Sequence, residues 1–297
     1  MWLLFSLLSA SAFAVVNILD SIIVQRYEKH PLVIMWLFGV LRLLMLLPFP
    51  FFVDLRTDYA WMLMGSGLIL GAALVLYLYV LDHMDASVTQ SAWAIESVIL
   101  SLLGFAFLAE SWSGWQTTGA LLILTAVFAL SYWHRHVSIA RTVGLLLLLG
   151  AVTAAAEFGV KVALSRDTAY PVVLFWFLFG TGSASVILPL FRRDARARLR
   201  RTISSAPPAF FAFLGCSIGM SFLGFAAAVK AFQVGMLSLA TIASNIQPFL
   251  VIFFAWILAQ TKATQLPKEL LSPQSVIVKL ACFALAFTGL ALLVTNT

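Results

Sequence analysis

The stretch HPLVIMWLF, residues 30–38, returns 140 positions later as YPVVLFWFL, residues 170–178. Proline stands at 31 and 171, and tryptophan at 36 and 176. The same shift carries Asn17 onto Glu157 and Arg26 onto Arg166. Further along, GLILG (67–71) matches GCSIG (215–219) at a shift of 148, which lays Asp82 on Lys230. With three more residues inserted, Ser87 falls on Ser238 and Glu96 on Gln247. Matches that keep their order along four apolar segments mark an internal repeat. The chain divides into two halves, 1–137 and 138–297, each expected to hold five helices. Because five is odd, the second half enters a membrane the other way up, and inverted repeats of this kind place a site between the halves at mid-membrane.

Composition says what solvent the helices meet. Hydrophobic residues make up 62% of the chain, charged residues 10%, and mean hydropathy is +1.03. Soluble domains carry about 25% charged residues, so a 297-residue soluble globule could not hide this much apolar surface. Continuous apolar runs of about 20 residues suit membrane-spanning helices rather than the alternating strands of a barrel. Ten spans are expected, near 2–24, 31–53, 61–82, 86–108, 113–133, 143–164, 171–191, 208–230, 234–259 and 274–295. The fold class is an all-α membrane protein of two inverted five-helix repeats. The opening MWLLFSLLSASAFAVVNIL lacks a basic start and reads as a retained helix, not a signal peptide. Only 192–207 and 260–273 are read as longer loops.

The segment SAWAIESVILSLLGFAFLAESWSGWQTTGALLILTAVFAL (91–130) resembles the repeat ending of the EamA-type drug/metabolite transporter superfamily. Glu96, Glu110 and Gly119 fall on its pattern, while Ser97 replaces the more usual proline. The second half keeps Pro248 after Gln247, but Gln260 or Thr261 stands where an acid is usual. Arg42 matches an arginine common in the family's second helix. The resemblance implies ten helices and a secondary transporter, with export of amino acids or related small metabolites as the expected activity.

Charge placement predicts orientation. The odd-numbered connections carry 12 Lys and Arg, six of them in FRRDARARLRR (191–201), and the even-numbered ones carry Arg56, Arg166 and Lys230. The positive-inside rule puts the odd loops in the cytoplasm and both termini outside an inner membrane. The basic run is thus a membrane loop rather than a nucleic-acid patch. Cys216 and Cys282 lie in apolar runs, the four histidines show no ligand spacing, and no phosphate loop occurs. No cofactor, metal or enzymatic activity is expected. The expected partners are a small solute, protons as a candidate coupling ion, and the bilayer, with the chain acting as monomer or homodimer.

Polar residues inside apolar helices nominate the site, because burying them in lipid costs several kcal/mol, ~3 or more for a charge. In TAAAEFGVKVAL (153–164), Thr153, Glu157 and Lys161 share one helix face. Glu157 and Lys161 are either a self-satisfied pair that packs helices or a paired site facing a cavity; the polar match at Asn17 favours the cavity. The first helix presents Ser6, Ser9, Phe13, Asn17 and Asp20 as a stripe, with a wetted interface the alternative for Asp20. Gln90, Trp93 and Glu96 share a face of the fourth helix. Thr241, Ser244, Asn245 and Gln247 precede Pro248 in the ninth, where proline frees a carbonyl about one turn earlier. Arg42 pairs with Glu96 or Glu157, or snorkels to the surface. The expected cavity set is Asn17, Asp20, Arg42, Gln90, Trp93, Glu96, Glu157, Lys161, Thr241, Asn245 and Gln247. Asp82 and Lys230 read as interface anchors. GxxxG at Gly67/Gly71 and again at Gly215/Gly219 reads as close helix packing in both halves. Rival functions are a nucleotide-sugar or lipid-linked sugar translocator and a non-transporting assembly subunit.

Overall fold

Prolines at 31, 171 and 208 each stand in the first turn of a helix, where a missing N–H leaves no bond unmade. A computed structural model of the chain describes residues 1–28, 30–83, 91–133, 139–259 and 273–294. The described residues are helical and contain no strand: α1 (Trp2–Arg26), α2 (Pro31–Leu46), α3 (Phe49–Phe52), α4 (Ala60–His83), α5 (Ser91–Phe107), α6 (Gly114–Trp133), α7 (Ile139–Leu164), α8 (Tyr170–Leu190), α9 (Arg193–Ser205), α10 (Pro208–Val234), α11 (Leu237–Ser244), α12 (Gln247–Ala259) and α13 (Pro273–Val294). Seven helical segments are long and apolar enough to cross a membrane. Three shorter apolar helices, 92–107, 114–129 and 280–293, fall within the ranges 86–108, 113–133 and 274–295 but are not long enough to count with the seven. Gln90, Ser87, Gln260 and Thr261 lie outside the described residues, as does the side chain of Asp82.

Two expectations about connectivity change. The basic run is not an irregular loop: 193–205 is a helix, α9. The ninth segment is not continuous but breaks at Asn245–Ile246 into α11 and α12. Pro248 has no N–H to donate back toward Ser244, and the chain restarts with Phe249 and Leu250 both bonding to Ile246 O.

The helices pack in a defined order. α1 lies along α10, α4 along α8, α6 along α13 and α2 along α8; α7 packs on both α4 and α5. Glycine sets the tightest crossings. A Cβ at Gly67 would fall 2.1 Å from Phe177 O, and one at Gly180 2.2 Å from Met64 O, so α4 and α8 touch backbone to backbone. Gly119 and Gly289 do the same for α6 and α13. The matching pair does not. Nothing lies within 4 Å of a Cβ at Gly215 or Gly219, which corrects the expectation of a packing seam in both halves. The spacing of the glycines is the same, but α10 and α2 approach far less closely than α4 and α8.

At one end of the bundle, α5 stops at a left-handed residue, Ala109 (φ 52°), with Leu108 and Glu110 N–H both bonding to Gly104 O. This turn folds Glu110 back over Gly104. A Cβ is disfavoured in the left-handed region, so Ala109→Gly should raise stability by about 0.5–1 kcal/mol. The unfolding midpoint of the purified chain in detergent checks this.

Candidate functional site

Eight of the eleven expected cavity residues, Asp20, Arg42, Trp93, Glu96, Glu157, Thr241, Asn245 and Gln247, line one hollow of about 140 Å³ in the middle of the bundle. α1, α2, α5, α7 and the α11–α12 break all contribute, so the hollow draws on both halves of the chain. It is walled by aromatic rings. Trp93 packs 6.1 Å from Tyr77, and Phe13 meets Phe225 edge-on at 5.0 Å.

Arg42 resolves differently from either expectation. It is 5% exposed and does not snorkel. Its Nη2 donates to Ser221 Oγ at 3.3 Å, and its guanidinium stands 5.7 Å from the Phe225 ring centroid. The acid in its field is Asp20, not Glu96 or Glu157. Asp20 in turn accepts a 2.5 Å hydrogen bond from Ser217 Oγ. Ser217 and Ser221 lie one turn apart on α10 and hold the acid and the base from the same side. Asp20 is 3% exposed, so it is a cavity residue rather than a wetted interface position.

Glu157 and Lys161 also part company. Lys161 Nζ donates to Phe232 O at 2.7 Å and Gly235 O at 2.8 Å, the last carbonyls of α10, and does not line the hollow. The charge is drawn there because unpaired carbonyls at a helix C-terminus are the better partners. Glu157 instead lines the hollow, as do Glu96 and Thr153. Asn17 does not line the hollow either; its Nδ2 donates to Tyr77 Oη at 3.3 Å, which does. Lys230 donates to Gln233 Oε1 and lies over the Tyr170 ring, contacts that suit an anchor at a helix end.

The break in the ninth segment is tied to α5. Asn245 Nδ2 donates to Ser97 Oγ at 2.7 Å, so Ser97 joins the two halves across the hollow. Among the described residues five buried polar atoms, Glu96 Oε1, Arg42 Nη1, Asn17 Oδ1, His30 Nδ1 and Trp36 Nε1, make no hydrogen bond. Buried polar atoms are nearly always satisfied. Two of these five, on Glu96 and Arg42, belong to residues that line the hollow, so a polar ligand or water is the natural partner of those two. The residues that sequence reasoning passed over are Tyr77, Ser217, Ser221 and Phe225. The last three follow at steps of four along α10, a stripe that could have been read from spacing alone.

The arrangement is that of an all-helical membrane protein with a charged, aromatic-walled hollow at its centre. No protein-family profile and no curated protein matches the chain. The chain superposes on a solved structure described only as "Crystal structure of protein" with a TM-score of 0.66 and 17% identity, over 99% of this chain and 96% of that one. The likeness extends to the fold of the entire chain.

Proposed function

We propose that the chain is a secondary transporter of small zwitterionic or amphipathic metabolites, amino acids among them, working by alternating access around the central hollow. The observation that carries this reading is the convergence of Asp20, Arg42, Glu96 and Glu157 on one hollow with unsatisfied polar atoms. Intramembrane charges of this kind mark solute pathways. Glu96 and Glu157 offer an amine its counter-charge, Arg42 offers one to a carboxylate, and the rings of Phe13, Trp93 and Phe225 suit an apolar side chain. The broken α11–α12 segment resembles the discontinuous helices of inverted-repeat carriers.

Ten spans and a two-fold inverted repeat belong to the same proposal. Under the repeat, α1 exchanges with α7, α2 with α8, α4 with α10, and α5 with α11–α12. The packing follows: α1 on α10 answers α7 on α4, and α1 on α11–α12 answers α7 on α5. One pair departs, since α4–α8 is close while α2–α10 is loose. A carrier closed at one end needs such an asymmetry. The charge bias places the loose end, which carries α9, at the cytoplasm, and both termini outside. A tag-accessibility assay that finds the C-terminus cytoplasmic refutes that orientation.

A nucleotide-sugar fits less well. Pockets for drug-sized ligands run to about 300–1,000 Å³, and among the described residues Arg42 is the one cation that lines this hollow. The test is a solute panel in proteoliposomes, with and without a pH gradient. Glu96→Gln and Glu157→Gln should each lower transport by on the order of 100-fold. Full transport by the double alanine variant would return both residues to packing. An unchanged pH dependence in Glu96→Gln would remove any proton-carrying role for that residue.

A further inference from the structure

The connection between α8 and α10 is more ordered than a topology signal requires. α9 is amphipathic, and its inner face is pinned. Ala195 is 1% exposed, Leu199 is half-buried, and Thr202 donates to Glu28 Oε2 at 2.6 Å. Arg198 Nε stands 2.9 Å from Glu28 Oε1, which also accepts from the His30 backbone N–H at 3.0 Å. Glu28, itself 5% exposed, is thus a buried clasp between the α1–α2 turn and α9. Asp194 sits in the first turn of α9, where the Ala195 backbone N–H holds its carboxyl below the usual range.

The outer flank is different. On a helix, residues 196, 200 and 203 fall on one side, three or four apart. Here they are Arg196, Arg200 and Ile203, all exposed, and the two arginines have no acidic partner among the described residues. Phe191, just before α9, is 78% exposed, and Phe211, just after it, is 40% exposed. Apolar helices enter and leave within a few residues, so α9 adjoins the ends of two membrane-spanning segments, α8 and α10. A flank of guanidiniums beside aliphatic and aromatic side chains matches an anionic phospholipid: phosphate on the arginines, acyl chain on Ile203 and Phe191.

We propose that the α9 flank formed by Arg196, Arg200 and Ile203 binds the headgroup of an anionic phospholipid. The Glu28 clasp makes this surface rigid and ties it to the α1–α2 turn at the loose end of the bundle. The inference does not depend on what the central hollow carries.

The test is native mass spectrometry of the full chain in detergent, titrated with phosphatidylglycerol or with phosphatidylcholine of the same acyl chains. The expected result is a phosphatidylglycerol preference of about tenfold or more in apparent Kd, falling as salt rises. Arg196→Gln/Arg200→Gln should bring it to the phosphatidylcholine level. Arg56→Gln, an exposed arginine in the α3–α4 connection, should leave it intact. Equal binding of the two lipids by the native chain overturns the proposal, as does a preference that survives the double variant or ignores salt. The salt series on the native chain decides the matter even if the double variant fails to fold.

Discussion

Gly67→Ala lowers the unfolding midpoint in detergent by on the order of 5–10 °C, while Gly215→Ala leaves it unchanged or slightly raised. The two glycines occupy equivalent places in the repeated stretches GLILG and GCSIG. At Gly67 the new methyl meets Phe177 O at 2.1 Å, Thr181 N at 2.8 Å and Gly180 Cα at 3.0 Å. These are backbone atoms of α8, so no side chain can swing away, and the two helices must separate along their length. Overpacking of this kind costs about 1–3 kcal/mol, at the upper end when backbone is displaced, and each kcal/mol is worth about 2–4 °C in a protein of moderate size. At Gly215 the methyl meets nothing within 4 Å. Alanine is the better helix former by up to about 1 kcal/mol, which sets the opposite sign. Equal losses in the two variants would show that the α2–α10 seam is closed in solution. The functional proposal adds a second readout. If the loose seam closes during turnover, Gly219→Leu should leave the midpoint near that of the native chain and still suppress transport.

The second large effect is expected at Glu110→Ala, with a loss of about 3–4 kcal/mol in detergent unfolding. The Glu110 carboxylate accepts from Leu237 N–H at 2.6 Å and Ser238 N–H at 3.1 Å, and from the Ser238 hydroxyl, so it caps the N-terminus of α11. Trp112 Nε1–H donates to the same Ser238 oxygen at 2.9 Å. Hydrogen bonds to a charged group contribute about 1.5–3 kcal/mol each, less when water can replace them, and an anion at a helix start adds a few tenths more. Glu110 is only half-buried, which keeps the sum below three full bonds. Lys161 caps the preceding helix from α7, and its charge lies in the field of Glu110. The two therefore hold both sides of the α10–α11 turn. Glu110→Gln should recover part of the loss, since its carbonyl still accepts from one N–H, and a gap between Gln and Ala variants is the check on capping. A loss under about 1 kcal/mol in the alanine variant would mean that packing alone holds the turn.

The sequence was informative wherever local pattern and burial agree. Apolar runs beginning at Pro31, Pro171 and Pro208 located helices to within a few residues, because a proline ring favours the first turn of a helix. Charges inside those runs located most of the hollow, because lipid offers them no other place. Glu96 needed nothing more; Glu157 also needed the polar match at Asn17, and Asp20 stayed open between cavity and wetted interface until its burial was seen. The α9 helix was hidden by composition: a basic stretch between spans has the same charge whether coiled or helical, and what settles it is Glu28, 170 positions from Arg198.

Partner choice was the part that no local pattern could decide. Spacing of four made Glu157 and Lys161 look like a pair, yet Lys161 turns to the end of α10 and Glu157 to the hollow. Arg42 had no acid nearby in sequence, and found Asp20 and Ser221 only when α1, α2 and α10 came together. Two GxxxG stretches of equal spacing became one tight crossing and one open face. Helix position follows from the chain's own chemistry within a turn or two, and the amino-acid order alone determined it. Which charge meets which, and which seam is shut, depends on how whole helices sit against each other, because distances of a few ångströms between segments far apart in the chain are set by the packing of the entire bundle.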